Sequence, residues 1–306
     1  MVKNIGLYIF IQLTVIVLLA VALSSIKLKG IRLWSYFNEN VISEGGQAKL
    51  MFSDLKNFVP DDNTIFVIGS SHAYRGYDPR NFEKAGFRLF NMGTSGQNMK
   101  DSYTLIKVNK SKIKRLIVDI YPGVLQDVTE ESTLMLIQNS DNNNTAFTIL
   151  KNNITINSIN NIAARVCDIY PKPLPYAEKY ITNGYVQKDN VLKSDSNTIY
   201  GQFSAGTNFP YLDSILSFST KNNIDVSLAS HPLKWNNAYK QYYNNTYLPV
   251  LKTVLNKYPT INFYDHTFLH SNSDSLFSDV NHLNQKGVNW YNKKLLQDIK
   301  SLTSGK

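Results

Sequence analysis

Five short apolar runs after residue 60 constrain the fold of this chain more than any other feature of its sequence. They lie at 64–69, 87–91, 115–120 and 224–229, with a weaker fifth at 261–264. Segments that are long enough for helices, such as 101–110 and 211–222, separate the first four runs, and a helical pattern follows at 289–302. Short apolar strands alternating with helices are typical of a parallel sheet covered on both faces. The sequence therefore predicts a three-layer α/β/α fold around a mostly parallel, five-stranded, flavodoxin-like sheet.

Composition places the chain among ordinary globular proteins. Its 306 residues are 43% hydrophobic and 18% charged, which excludes disordered, collagen-like and coiled-coil chains. The net charge of +9 favours anionic polymers or a headgroup surface as partners, and no motif supports nucleic-acid binding. The single cysteine, Cys167, excludes an internal disulfide framework and a cysteine-based zinc site, and we expect it to be buried.

Residues 1–24 predict a membrane anchor. The run 5–23 carries no charged side chain and is about as long as a helix that crosses a bilayer core. A cleaved signal peptide is the alternative, because Lys3 precedes the run and the small residues at 20–22 resemble a cleavage site. Positive charges flank both ends of the run, so charge alone leaves the orientation open.

The remaining chain divides into a connector and one large domain. Residues 25–60 are polar and partly basic, and we expect them to form the connector. Residues 61–306 contain the apolar runs and form the predicted α/β domain. Within it, about 127–205 is rich in Asn, Thr and Tyr and is broken by prolines in 171–175. We expect this stretch to be an insertion over the edge or carboxyl end of the sheet, where it could shape a substrate site.

Two loops directly after the first two apolar runs carry candidate functional residues. In Gly69-Ser70-Ser71-His72, the glycine permits a sharp turn and places a serine at a helix N-terminus, where backbone N–H groups can stabilise an oxyanion. A helix-capping serine is the alternative interpretation. The segment 91–98 contains two glycines, which suit either a close approach to a ligand or a purely structural loop.

A third pattern precedes the last predicted helix. Asp279 and His282 are three residues apart on a short loop. A carboxylate at that spacing can hold an imidazole in one tautomer while the other ring nitrogen faces a serine hydroxyl. An exposed histidine at a helix start is the alternative.

Taken together and in this order, the three patterns resemble the SGNH/GDSL hydrolase family. Gly69-Ser70-Ser71 resembles its first block, Asn91 to Gly96 its second, and Asp279-x-x-His282-Leu283 followed by Gly287 its last. The resemblance covers roughly residues 62–300. It implies that Ser71 is the nucleophile, His282 the general base and Asp279 the residue that orients it, with the N–H groups of Ser71 and Gly96 as oxyanion donors.

The third block departs from the family pattern. Where the family has Gly-x-Asn-Asp, this chain has Ile120-Tyr121-Pro122-Gly123. Loss of one oxyanion donor costs about 2.7–4 kcal/mol, so either another side chain substitutes, with Asn98 as a candidate, or catalysis is weak or absent. Membrane-anchored branches that resemble lipoteichoic-acid D-alanylation and alginate O-acetylation proteins also vary around these blocks.

Two further histidines are candidates for the substrate site. His72 follows the predicted nucleophile and has a packing or substrate role, and His231 ends the fourth apolar run on the same side of the sheet. No His, Asp or Glu cluster has the sequence spacing of a metal site, and no cofactor is expected.

The resemblance implies acyl transfer through an acyl-enzyme, by a serine esterase or an O-acyltransferase. Its expected partners are an acylated glycan or another ester, the membrane, and an integral-membrane protein as acyl donor, with the domain outside the cytoplasm. A catalytically inactive accessory or glycan-binding protein on the same fold is the alternative. Phosphate binding at the Gly69 turn ranks last, since the lysine of a phosphate-binding loop is missing.

Overall fold

The computed structural model describes residues 2–28, 31–32, 45–126, 130–168, 176–193, 209–270 and 273–303. The strands are β1 (Lys27–Leu28), β2 (Ile31–Arg32), β3 (Thr64–Ile68), β4 (Arg88–Asn91), β5 (Arg115–Asp119), β6 (Lys179–Tyr180), β7 (Val186–Gln187), β8 (Asp225–Ser230) and β9 (Asn262–Asp265). The helices are α1 (Val2–Ser25), α2 (Gly46–Asn57), α3 (Ser71–Gly76), α4 (Pro79–Glu83), α5 (Met99–Val108), α6 (Pro122–Gln126), α7 (Glu130–Asn139), α8 (Asn143–Asn152), α9 (Ile156–Val166), α10 (Phe209–Lys221), α11 (Asn237–Tyr242), α12 (Leu248–Leu255) and α13 (Gln285–Thr303). A π-helical turn, Tyr243–Tyr247, joins α11 to α12, and a 3-10 turn spans Asp274–Leu276.

The five predicted strands form one parallel sheet in the order β4-β3-β5-β8-β9. Each strand lies within about one residue of its apolar run. The chain passes from β3 to β4 on one side, then crosses to β5 on the other side of β3 and continues through β8 to β9. The direction in which successive strands are added to the sheet therefore reverses beside β3. Ligands of open parallel sheets bind at the carboxyl ends of strands near such a reversal. The prediction of an α/β fold with a five-stranded parallel sheet is confirmed.

Side chains alternate along the strands between two separate cores. Phe66 and Ile68 of β3 pack with apolar residues of α2, α5, α10 and α12 on one face. Ile65 and Val67 point to the other face, where they meet α4 and α13. This alternation is the period of two that an extended strand imposes, and it produces the predicted three layers.

Helix α13 begins one turn earlier than the sequence predicted. The Asn284 side chain accepts a hydrogen bond from the N–H of Gly287 at 3.1 Å, in the manner of an N-terminal cap. Val288, Tyr291 and Leu295 of this helix are buried against the sheet. The loop that carries Asp279 and His282 is therefore fixed at the start of a long, well-packed helix.

The described parts of the predicted insertion take two positions. Helices α7, α8 and α9 pack together beside α5, where buried Asp101 accepts hydrogen bonds from Thr133 at 2.8 Å and Asn153 at 2.8 Å. The β6–β7 hairpin covers the edge strand β4, since the N–H of Asn91 donates to the carbonyl of Asn183 at 2.9 Å. The proline break at 171–175 lies outside the described residues.

Three further observations concern the predicted connector, the predicted membrane anchor and the single cysteine. Helix α2 lies within the predicted connector, yet Met51, Phe52 and Leu55 are buried in the core, so 46–57 belongs to the folded body. Within the described residues, no helix is long and apolar enough to cross a membrane. Cys167 is exposed at the end of α9, which corrects the expectation that it is buried.

Candidate active site

The turn between β3 and α3 places Ser71 at the first residue of a helix. Gly69 is required there, because a Cβ would lie 2.9 Å from the Cβ of Asp119 and 3.1 Å from that of Ala73. Ser70 caps α3, with its hydroxyl accepting from the N–H of His72 at 3.5 Å. The capping role proposed for a serine here thus belongs to Ser70, which leaves the Ser71 hydroxyl for other chemistry.

Ser71, His282 and Asp279 form a continuous hydrogen-bonded chain. The Ser71 Oγ lies 2.8 Å from His282 Nε2, and His282 Nδ1 lies 2.8 Å and 3.0 Å from the two carboxylate oxygens of Asp279. A carboxylate only accepts, so Nδ1 carries the hydrogen and Nε2 is the acceptor for the serine proton. This is the arrangement in which a histidine acts as general base toward a serine.

The Asp279 carboxylate is held in place by its own loop. Its Oδ1 accepts from the backbone N–H groups of Asn281 at 2.9 Å and His282 at 3.0 Å. Burial raises the pKa of Asp279, but the hydrogen bonds and the charge of His282 outweigh it and bring the pKa to about 2. Asp279 therefore stays ionised at neutral pH and continues to orient the imidazole.

The loop at 91–98 lies against the turn that carries Ser71. The N–H of Thr94 donates to the carbonyl of Gly69 at 3.3 Å, and a Cβ on Gly93 would lie 2.8 Å from that of Ala73. The N–H of Gly93 is bound to the Asn91 side chain at 3.0 Å. Gly96 forms the tip of the loop with a φ of 57°, a conformation that favours glycine. The role of Gly96 as an oxyanion donor stays a prediction.

Asn98 has a different place from the one predicted for it. Its Oδ1 accepts from the N–H of Asp101 at 2.9 Å, so it caps α5, and its Nδ2 donates to the Asp101 carboxylate at 3.0 Å. The residue is only 1% exposed. Because both ends of the amide bind the start of α5, Asn98 does not replace the missing oxyanion donor.

Tyr121 lies two residues after the end of β5, next to Pro122, which stands where the family pattern has its asparagine. Its ring stacks on His72 with centroids 3.8 Å apart, and its hydroxyl accepts from the Ser70 hydroxyl at 3.3 Å. The sequence analysis recorded the departure at this block but did not assign a role to the tyrosine. The signal was available, because a tyrosine directly precedes the position at which the family pattern has a donor.

His72 and His231 lie beneath the site and not on its surface. Both are 3% exposed, and their ring centroids are 4.4 Å apart. Burial, followed by the neighbouring His231, lowers the pKa of His72 well below its ordinary value, and burial lowers that of His231 to about 4. Both rings are therefore neutral at pH 7. The contacts of His72 with Tyr121 and His231 correspond to the packing alternative predicted for it, and the substrate role of His231 stays a prediction.

Asp119 completes this buried group, and the sequence analysis missed it. One ligand atom from each of His72, Asp119 and His231 lies within 4.8 Å of the others. Burial raises the pKa of Asp119 to about 7. An aspartate that ends an otherwise apolar run was the available signal, but only the fold brings it to the two histidines.

Arg75 of α3 and Glu178 join the hairpin segment to the helix that carries Ser71. Arg75 Nη2 lies 2.7 Å from Glu178 Oε1, and its Nη1 lies 3.4 Å from His282 Nε2. Lys188 pairs with the same carboxylate. Burial raises the pKa of Glu178, but the hydrogen bonds from Lys188 and Arg75 outweigh it and lower the pKa to about 2. A cation is therefore fixed at the mouth of the site by a segment about 100 residues away in sequence.

Comparisons with known proteins give only distant similarities. No protein-family model matches the chain, and no curated protein matches it. It is similar to a protein assigned to the G-D-S-L lipolytic family from Desulfitobacterium hafniense, with 12% identity and a TM-score of 0.40 over 77% of this chain and 99% of that one. It is also similar to a family two carbohydrate esterase from Clostridium thermocellum in complex with cellohexaose, with 10% identity and a TM-score of 0.41 over 80% of this chain and 66% of that one. A catalytic mutant of an acetylxylan esterase from Geobacillus stearothermophilus gives 11% identity and a TM-score of 0.40 over 78% and 95%.

Proposed function

We propose that the chain is a serine esterase or O-acyltransferase of SGNH type that acts through an acyl-enzyme. The hydrogen-bonded chain Ser71–His282–Asp279 is the observation that carries the proposal, because two parts of the sequence about 210 residues apart meet at hydrogen-bond distance. The alternative interpretations, a helix-capping serine and an exposed histidine, give no reason for the Ser71 hydroxyl and the His282 ring to lie at hydrogen-bond distance.

The reaction follows from the geometry of this chain. His282 Nε2 removes the Ser71 proton as Oγ attacks the ester carbonyl, and the imidazolium then returns that proton to the departing alcohol. Water or a second alcohol next attacks the acyl-serine, with His282 again as base, and Ser71 leaves with its proton restored. The first acceptor gives hydrolysis and the second gives acyl transfer.

Tyr121 supplies the third oxyanion donor in this proposal, beside the N–H groups of Ser71 and Gly96. Its hydroxyl lies 3.3 Å from Oγ of Ser70, the residue before the nucleophile. A phenol is both a donor and an acceptor, so the Tyr121 hydroxyl is of the chemical type that this role needs. The stack on His72 fixes the ring, so the donor is held in place before the reaction.

An acylated polysaccharide of the cell envelope is the proposed substrate class. The net charge of +9 favours an anionic polymer or a headgroup surface, and Arg75 places one cation beside the triad. Apolar side chains of α1 such as Ile5, Phe10 and Leu18 are at least 52% exposed, which supports attachment of the N-terminal helix to a membrane. A membrane-attached domain outside the cytoplasm could take its acyl group from an integral-membrane donor, as in the O-acetylation and D-alanylation proteins that the sequence resembles.

Hydrolysis of a small acetyl ester tests the chemistry. The Ser71→Ala variant of the full chain should lose at least about 1,000-fold in turnover of 4-nitrophenyl acetate, since the nucleophile is removed. Ser214→Ala is the matched control, because that serine lies on α10 and bonds only within its own helix in the described contacts. Equal turnover by the wild type and Ser71→Ala would reject the serine mechanism. Glycan binding by a wild type with no turnover would favour the inactive accessory protein, an alternative that the missing third-block asparagine supports.

A further inference from the structure

Three buried side chains with metal-binding chemistry meet below the nucleophile turn. His72 lies on α3 just after β3, Asp119 ends β5, and His231 directly follows β8. These three strands are neighbours in the sheet, so their carboxyl ends lie side by side. One ligand atom from each residue lies within 4.8 Å of the others, and none of the residues is more than 3% exposed.

His231 is held in the tautomer that a metal ion requires. Its Nδ1 lies 2.8 Å from the carbonyl oxygen of Pro232, which can only accept, so Nδ1 carries the hydrogen. Its Nε2 therefore presents a lone pair, and this atom is buried without a hydrogen-bond partner. Histidines that bind metals usually donate their other ring N–H to a carbonyl or carboxylate in this way.

Asp119 presents a second buried atom without a partner. Its Oδ2 accepts from the Tyr77 hydroxyl at 2.7 Å, whereas its Oδ1 is buried and has no hydrogen bond. The Tyr77 hydroxyl in turn accepts from Tyr291 at 3.1 Å, so the carboxylate is oriented by a chain of phenols. A buried carboxylate oxygen that meets no donor is costly, and a bound cation would remove that cost.

We infer that His72, Asp119 and His231 bind one divalent transition-metal ion. Two imidazoles and one carboxylate are a ligand set that suits Zn²⁺. Tetrahedral Zn–N distances of about 2.0–2.1 Å place ligand atoms roughly 3.4 Å apart, which falls within the 4.8 Å that encloses the three ligand atoms here. Because His72 follows Ser71 directly, the ion ties the nucleophile turn to the ends of β5 and β8.

A buried water molecule is the competing occupant, since it could also bridge Nε2 of His231 and Oδ1 of Asp119. The inference is independent of the proposed esterase activity, because neither Ser71 nor His282 is a ligand. The Ser71→Ala variant should therefore bind the ion as the wild type does. Loss of activity and loss of the ion are consequently separate results.

Metal content of the full chain tests the inference. The protein, purified on a histidine-free tag, is stripped with a chelator, dialysed against ZnCl₂ and then against buffer, and its zinc is measured by plasma mass spectrometry. We expect one ion per chain, and with Co²⁺ a visible absorption band that saturates at the same ratio. His231→Gln and Asp119→Asn should weaken binding by at least about tenfold. His270→Ala is the matched control, because His270 is exposed and outside the cluster.

Circular dichroism of each variant separates loss of a ligand from loss of the fold. A wild type that retains far less than one ion per chain would overturn the inference and leave the water as occupant, whether or not any variant folds. A folded His231→Gln protein that retains the full ion would overturn it as well.

Discussion

At the scale of single residues, the candidate site consists of one hydrogen-bonded chain of side chains and the buried polar groups around it. Ser71, His282 and Asp279 could be located because each stands in a short local pattern, and the structure brings them to hydrogen-bond distance. Asn98 was a wrong substitute donor, because a nearby aspartate engages its amide. Asp119 could not be connected to His231 without the sheet order, since 112 positions separate them in the chain.

Tyr121 is the residue whose role is most open to test. Tyr121→Phe keeps the ring that stacks on His72 and removes only the hydroxyl. If that hydroxyl stabilises the oxyanion, kcat for an acetyl ester should fall about 100-fold with little change in KM, because the donor acts in the transition state. Steady-state kinetics measure both constants.

Tyr258→Phe controls for the loss of a phenol, because Tyr258 bonds to Asp213 away from the site. Equal kcat in the Tyr121→Phe variant and the wild type would assign Tyr121 to packing alone.

At the scale of elements, the short apolar runs were enough to predict the strands of the sheet. The positions of helix α2 and of the β6–β7 hairpin depend on contacts with residues distant in sequence. Helix α2 was hidden in a polar stretch because only one of its faces is apolar, with Met51, Phe52 and Leu55 inward. The position of the hairpin segment could not be predicted either. Its link to the site is the ion pair between Glu178, which lies in the predicted insertion, and Arg75, which lies about 100 residues earlier. Composition marked that stretch as an insertion but could not show which edge of the sheet it covers.

The Glu178 ion pair predicts an acid-sensitive attachment of the hairpin. Its pKa of about 2 lies below the ordinary 4.5, so the folded state favours the charged form. The stabilisation is therefore complete above pH 4.5 and is lost as the pH falls from there toward 2. Glu178→Gln should lower the free energy of unfolding by about 1–2 kcal/mol at pH 7, a figure reduced for partial exposure, and should flatten its pH dependence in that window.

Urea unfolding of the full chain at pH 7 and between pH 4.5 and 3 measures this effect. Asp189→Asn is the matched control on the same hairpin, because its pair with Lys179 is more than half exposed on both sides and contributes little. Parallel pH profiles for the wild type and Glu178→Gln would contradict the predicted attachment.

At the scale of the whole molecule, the parallel sheet brings polar side chains from distant parts of the chain together at the carboxyl ends of its strands. The ends of β3, β5 and β8 carry Ser71, Tyr121 and the buried histidines, and the loop before α13 carries His282. Local sequence patterns could predict the strands and the two ends of the triad. They could not predict that His72, Asp119 and His231 lie together and buried beneath the triad, because their burial and their contacts depend on the order of the strands in the folded sheet.

The most direct test of the account is covalent labelling of the full chain by a fluorophosphonate probe, with the modified residue located by peptide mass spectrometry. The probe reacts with a serine hydroxyl that a histidine activates. The account predicts a single adduct on Ser71, absent in His282→Ala and retained in His270→Ala. A wild-type protein that is unlabelled at Ser71, or labelled equally without His282, would contradict it.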